Sequence, residues 1–163
     1  ITNTNITTVT LKDELDYVQK YLYCMKVRYQ SSLNYSIQVD DNLMAKQIPK
    51  LIIQPLVENA IKYGTNCAPP WSITVTSTVT DNSWQINITD TGPGFTGEAL
   101  EKISSNLQKA DQNPGLPELK INGLGTVNVY LRWKIFCHND IIFTYGNTVD
   151  GHGIVSIGRY FPK

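Results

Sequence analysis

The period of the apolar positions changes along this chain, and the changes mark out its elements. Leu11, Leu15, Val18, Leu22, Met25 and Tyr29 recur four and three residues apart. That spacing predicts a helix over residues 11–31 with one apolar stripe, opening after Thr10 with Asp13 at the capping-box distance. The stripe is too short to demand a coiled coil, so it predicts a helix packed on its own domain. Residues 1–10, rich in Thr and Asn, predict a poorly ordered, linker-like start. Tyr35, Ile37 and Val39 alternate as a strand does. Ile48-Pro49 predicts entry to a second helix, with Pro49 near its first turn, and Pro55 either kinks that helix or sets its start. Two β-branched alternating runs, 73–80 and 84–89, flank Asp81-Asn82-Ser83 and predict a hairpin. Residues 97–109 have helical character. Residues 110–122 hold two prolines and a glycine and predict a mobile loop. A helix is predicted over 127–136, then closing strands at 141–144 and 153–160 with a turn at 148–151. Mixed helices and strands joined by short turns predict an α+β fold, a two-layer sandwich with helices on one face of a mixed sheet. Residues 11–163 form a single domain by this reading.

Three polar interruptions of this pattern carry the candidate chemistry. In Pro55-Leu56-Val57-Glu58-Asn59-Ala60-Ile61-Lys62-Tyr63-Gly64 an apolar helix carries an acid, a carboxamide and an amine. Glu58 and Lys62 are spaced i, i+4 on one helix face, with Asn59 beside them. A carboxamide oxygen suits a hard cation, a lysine suits phosphate, and an acid orients water or accepts a proton. An amphipathic helix with a solvated polar edge reads equally well from the decamer alone. Asp90-Thr91-Gly92-Pro93-Gly94-Phe95 ends an alternating run, and Gly123-Leu124-Gly125-Thr126-Val127-Asn128 precedes a helical one. Both put side-chain-free backbone beside polar groups, where peptide N–H groups approach an anion. As an ordered set, the three segments read as a nucleotide cradle. Gly92-x-Gly94-x-x-Gly97 also fits a dinucleotide-binding spacing, but Asp111 lies in a loop sequence, not at a strand end. Glu98-Ala99 stands where a P-loop requires Lys-Ser/Thr.

The segment ENAIKYG resembles the N box of sensor histidine kinase ATP-binding domains, DTGPGF their G1 box and GLGTVN their G2 box. IPKLIIQPLVENAIKYG and LDYVQKYLYCMKVRY resemble, more narrowly, the LytS/YesM-type class of bacterial sensor kinases. The resemblance runs from about Leu11 to Arg132. It implies the Bergerat ATP-binding type of α+β sandwich, with ATP between the N-box and G2 helices under a lid at 95–121. It implies that Asp90 accepts from the adenine amino group and that Gly92 and Gly94 bring the backbone close to the base. Asn59 would hold Mg²⁺, Lys62 would contact phosphate, Tyr63 would flank the nucleotide, and Gly123, Leu124, Gly125 and Thr126 would offer N–H groups. Glu58 is the catalytic candidate, and Asn128 and Arg132 are read as structural or lid-supporting. Tyr63 departs from the His more usual in this class, and Thr126 and Trp133 from leucines. The implied activity transfers the γ-phosphoryl of ATP to a histidine on an upstream dimerisation domain. His138 and His152 both follow the ATP boxes and read as surface or turn residues. The implied partners are that domain and a response regulator, in a membrane-anchored homodimeric parent with this domain in the cytoplasm. A conformational ATPase of the same superfamily and a nucleotide-responsive binding module are the competing readings.

Composition narrows this only slightly. With 14 basic and 14 acidic residues the net charge is zero, which supplies no field for nucleic acid. Cys24, Cys67 and Cys137 are too scattered for a metal or redox pair and fit a reducing compartment. Asn5-Ile6-Thr7 and Asn87-Ile88-Thr89 match the glycosylation pattern, but Asn87 falls inside a predicted strand.

Overall fold

A computed structural model describes residues 6–112 and 124–163. Its elements are β1 (Thr8–Thr10), α1 (Leu11–Tyr29), β2 (Leu33–Gln38), β3 (Gln47–Pro49), α2 (Ile53–Gly64), β4 (Trp71–Val79) and β5 (Ser83–Asp90). They continue with α3 (Gly97–Gln112), α4 (Leu124–Cys137), β6 (Ile141–Asn147) and β7 (Gly153–Tyr160). Five strands form one sheet in the order β2-β4-β5-β7-β6, and β1 pairs with β3 in a separate ribbon. The β2–β4 pair is parallel and the other pairs of the main sheet are antiparallel. This is the α+β sandwich with a mixed, mostly antiparallel sheet that the pattern predicts.

Cross-strand register shows how the core is built. Val75, Ile88, Val155 and Tyr145 lie opposite one another in successive strands, as do Ile86, Ile157 and Phe143. These rows meet the buried stripes of α1, α2 and α4 in a single apolar cluster. The opposite sheet face is polar. There Asn87 is buried in β5, donates to Thr78 and accepts from Gln85 and Ser156, so it is no accessible glycosylation site. Trp133 is 1% exposed, packs edge-on against Trp84 and donates Nε1–H to the Gly158 carbonyl at 2.8 Å.

Four boundaries differ from expectation. Thr8–Thr10 are not a loose start: they form β1 against Gln47–Pro49, and Thr10 caps α1 by accepting from the Asp13 N–H. α1 ends at Tyr29, because Gln30 takes φ 53°. Pro49 closes β3 and does not enter the helix; α2 opens at Ile53, so Pro55 stands in its first turn, where a missing N–H costs nothing. Ala110, Asp111 and Gln112 belong to α3, since Ala110 is buried against Val127 and Leu131 of α4. The rest of the loop expected at 110–122 lies outside the described residues.

Candidate functional site

A cavity of about 340 Å³ opens between α2 and α4, walled along one side by α3. Its floor is the end of the sheet at which β5 stops and β7 starts. Strand alternation explains what stands there. Asp90 is in phase with Ile86 and Ile88, so it points inward like them, but at the open end of the row. Asp90 is 7% exposed and borders the cavity.

Three glycines fit around this carboxylate. A Cβ on Gly64 would lie 2.8 Å from the Asp90 Cβ, one on Gly92 would lie 2.9 Å from Oδ1, and one on Gly153 would lie 2.8 Å from Oδ2. The Gly92 N–H donates to Oδ1 at 2.8 Å. Burial pushes the Asp90 carboxyl above its ordinary value, while the Gly92 and Gly153 N–H groups and nearby His152 oppose that shift. His152 also fixes the turn itself. Its Nδ1 lies 2.8 Å from the Gly92 carbonyl, which only accepts, so Nδ1 carries the proton.

The turn after Asp90 is held a second time from β6. The Phe95 N–H donates to Asn147 Oδ1 at 2.7 Å, and Asn147 Nδ2 donates to the Phe95 carbonyl at 2.8 Å. Gly94 has φ 78°, and a Cβ there would fall 2.3 Å from the Gly151 carbonyl oxygen. Glycine is therefore required twice over, by conformation and by space.

α2 turns Asn59 and Tyr63 to the cavity and leaves Glu58 and Lys62 out of its lining. Glu58 is exposed and accepts from Gln54 Nε2 at 3.3 Å; the Lys62 ammonium is exposed and lies 5.6 Å from the Tyr63 ring centroid. Across the cavity, α4 opens at Leu124, with Gly125 and Thr126 in its first turn. Gly123 lies outside the described residues. Thr126 Oγ1 accepts from Asn59 Nδ2 at 3.5 Å and from the Tyr145 hydroxyl at 3.3 Å. With its nitrogen turned to Thr126, Asn59 presents its oxygen elsewhere. Burial pushes the Tyr145 hydroxyl up to about 12. Arg132 faces away from the cavity and donates to the Lys50 and Leu51 carbonyls.

Among the described residues no three His, Cys, Asp or Glu side chains group as a metal cage. Asn59 as a lone protein ligand fits Mg²⁺, which keeps several waters and shares phosphate oxygens. The sequence pattern missed Asn147, His152, Glu14 and the inward face of α3, where Ala99, Ile103 and Leu107 line the cavity. Only the last had a local signal, a weak helical period. The partners of the others are set by tertiary contact.

Residues 45–150 match the family model described as histidine kinase-, DNA gyrase B- and HSP90-like ATPase. Sensor protein LytS of Oceanobacillus iheyensis is 34% identical over 153 residues, covering 93% of this chain but 25% of its own length. Sensor histidine kinase YesM of Bacillus subtilis is 34% identical over 94 residues, 57% of this chain and 16% of YesM. The chain thus spans about a quarter or less of these relatives. Among solved structures, the catalytic domain of histidine kinase ThkA superposes with a TM-score of 0.62 at 16% identity, covering 94% of each chain. Full-length ShkA in complex with AMPPNP gives a TM-score of 0.63 at 16% identity, over 97% of this chain and 32% of ShkA. At that identity the likeness is one of fold.

Proposed function

This chain belongs to the histidine kinase-, DNA gyrase B- and HSP90-like ATPase family, and we propose that within it the chain is the ATP-binding catalytic domain of a sensor histidine kinase. The observation that carries this reading is Asp90, a buried carboxylate at the cavity floor whose other sides are enclosed by Gly64, Gly92 and Gly153. Its remaining acceptor edge suits an exocyclic amine. Adenine presents one, whereas guanine would set a carbonyl against the carboxylate and leave both unpaired, at about 1–3 kcal/mol. Gly92 and Gly94 let the base approach the turn. The N–H groups of Leu124, Gly125 and Thr126 start α4, where the helix dipole favours phosphate. Tyr63 flanks the nucleotide, and Lys62, on its flexible stem, reaches the phosphates from the rim. Asn59 would hold Mg²⁺, which neutralises phosphate charge when bound. The turn at 95–96 and α3 act as the lid; the rest of the lid segment expected at 95–121 lies outside the described residues.

Glu58, exposed one residue before Asn59, meets an acceptor arriving from solvent. An imidazole nitrogen of that acceptor bonds to the γ-phosphorus, the bond to the β–γ bridging oxygen breaks, and Glu58 takes up the proton that the imidazole loses. The acceptor histidine lies on an upstream dimerisation domain, and a response regulator receives the phosphoryl group afterwards. The parent protein is a membrane-anchored homodimer with this domain in the cytoplasm. Among the described residues no helix is long and apolar enough to cross a membrane.

Calorimetry with ATP and GTP on wild type and Asp90→Asn tests the reading. ATP binds wild type about tenfold or more tightly than GTP, and the variant loses that preference. Equal affinity for both nucleotides in wild type removes Asp90 from base recognition. Incubated alone with labelled ATP, the chain acquires no acid-labile phosphate, because His138 sits in a turn after α4 and His152 is bonded to the Gly92 carbonyl. Added acceptor domain restores labelling.

A further inference from the structure

Glu14 is a wholly buried carboxylate on α1, outside the cavity and unused by the chemistry above. Its Oε1 accepts from the Leu51 N–H at 2.9 Å. Its Oε2 accepts from the Ile52 and Ile53 N–H groups at 2.9 Å and from Gln54 at 3.2 Å. These are the free donors at the start of α2. A helix begins with four N–H groups that have no intrahelical partner. Here the N-cap is Ile52, which has no polar side chain, the next two residues are Ile53 and Gln54, and the fourth position is Pro55, which has no N–H. Every donor the helix start possesses is therefore satisfied by one residue, 37 to 40 positions earlier in the chain. A negative charge at that end is also favoured by the helix dipole.

The same turn is gripped from its other side. Arg132 of α4 donates to the carbonyls of Lys50 and Leu51, and Leu51 sits at φ 59°, a conformation that a leucine adopts only when its surroundings impose it. The start of α2 is thus clamped between α1 and α4. α2 carries Asn59 and Tyr63 to the cavity, and α4 carries Thr126, the partner of Asn59. We propose that Glu14 is a positioning residue for the phosphate end of the cavity: by fixing the start of α2 against α1 it sets the level of Asn59 against Thr126. Asp90 and its turn are held by Gly153, His152 and Asn147, none of which touches Glu14, and they meet α2 at Tyr63 and Gly64, the end of the helix opposite Glu14. Base recognition accordingly depends on Glu14 far less than the phosphate end does.

The inference rests on the ATP-binding reading, and one set of measurements separates the two. Binding of adenosine, Mg²⁺-free ADP and Mg²⁺-ATP is measured by calorimetry on the whole chain, beside thermal unfolding. Glu14→Gln keeps the shape but turns an amide N–H₂ toward backbone donors. It should weaken Mg²⁺-ATP about 10- to 100-fold, as loss of an outer-shell support does, and leave adenosine affinity within about twofold. Leu22→Ala, a core truncation on the same helix, controls for stability: it lowers the unfolding temperature without separating the two affinities. If Glu14→Gln does not fold, Glu14→Asp, which keeps the charge but is one methylene short, gives the same split in smaller measure. Equal losses for adenosine and Mg²⁺-ATP, unchanged binding of both, or the same split in Leu22→Ala would overturn the positioning role. A wild-type chain that binds none of the three overturns the ATP-binding reading itself.

Discussion

Thr126 departs from the leucine that the family resemblance leads one to expect, and its hydroxyl supplies a contact that leucine could not. It accepts from both Asn59 Nδ2 and the Tyr145 hydroxyl, so the carboxamide is turned by a partner on the opposite helix. Thr126→Val keeps the shape and removes that acceptor, leaving two polar groups without it. The expected result is Mg²⁺-ATP binding weakened about tenfold with adenosine binding unchanged. Titration of ATP at a series of Mg²⁺ concentrations checks this, and an unaltered Mg²⁺ dependence would remove Thr126 from the orientation of Asn59. Much at this scale is legible in the sequence. The inward direction of Asp90 follows from its phase with Ile86 and Ile88, and the glycines beside it from the turn. Glu14 is not legible, although it lies beside Leu15 in the apolar stripe: nothing local tells a buried acid from a solvated one when its donors come from residues 51 to 54. His152 is obscure for the same reason, its partner being Gly92, 60 residues away.

α2 is seated on β5 by an absence of side chain. Gly64, its last residue, touches Asp90 with its Cα region, and a Cβ would lie 2.8 Å from the Asp90 Cβ, which cannot swing aside as a flexible tip would. In an unencumbered helix, alanine is favoured over glycine by about 0.5–1 kcal/mol. Here the sign reverses: Gly64→Ala should destabilise the fold by about 1–3 kcal/mol through overpacking, read as a lowered denaturant midpoint. A raised midpoint would mean that α2 has slack over the strand. The long elements are legible because their periods are sustained. β1 and β3 are not, since strands of three residues carry no period and exist through pairing with each other. Pro49 misleads for a related reason, as the same residue type closes a short strand as readily as it opens a helix. The last turn of α3 is hidden because Ala110 becomes a core residue only where it meets Val127 and Leu131.

Across the molecule, a buried thiol and a half-buried phenol of high pKa make folding sensitive to alkali. Burial raises the Tyr145 hydroxyl from 10.0 to about 12 and the Cys137 thiol from 9.0 to about 11. Between those limits the folded state holds protons that the unfolded chain has released, so stability falls as pH rises. The loss begins above 9.0 through Cys137 and above 10.0 through Tyr145. Tyr145→Phe should flatten the decline between 10.0 and about 12 and leave the Cys137 part in place, in unfolding temperatures recorded against pH. Overlapping curves for wild type and variant would show that Tyr145 ionises freely in the fold. The strand order also imposes a chronology on the chain. β7, the last of these five strands in chain order, is an interior strand, and β6 joins the main sheet through it. Gly153, which closes the wall beside Asp90, belongs to β7 as well. A nascent chain that has reached His152 therefore holds nearly every residue of the cradle and no cradle. Chains stalled there should retain no adenine nucleotide and should offer the unpaired edge of β5 to chaperones, while chains extruded past Tyr160 bind at once. Competence to bind would then arrive in a single late step of synthesis, not by gradual accretion.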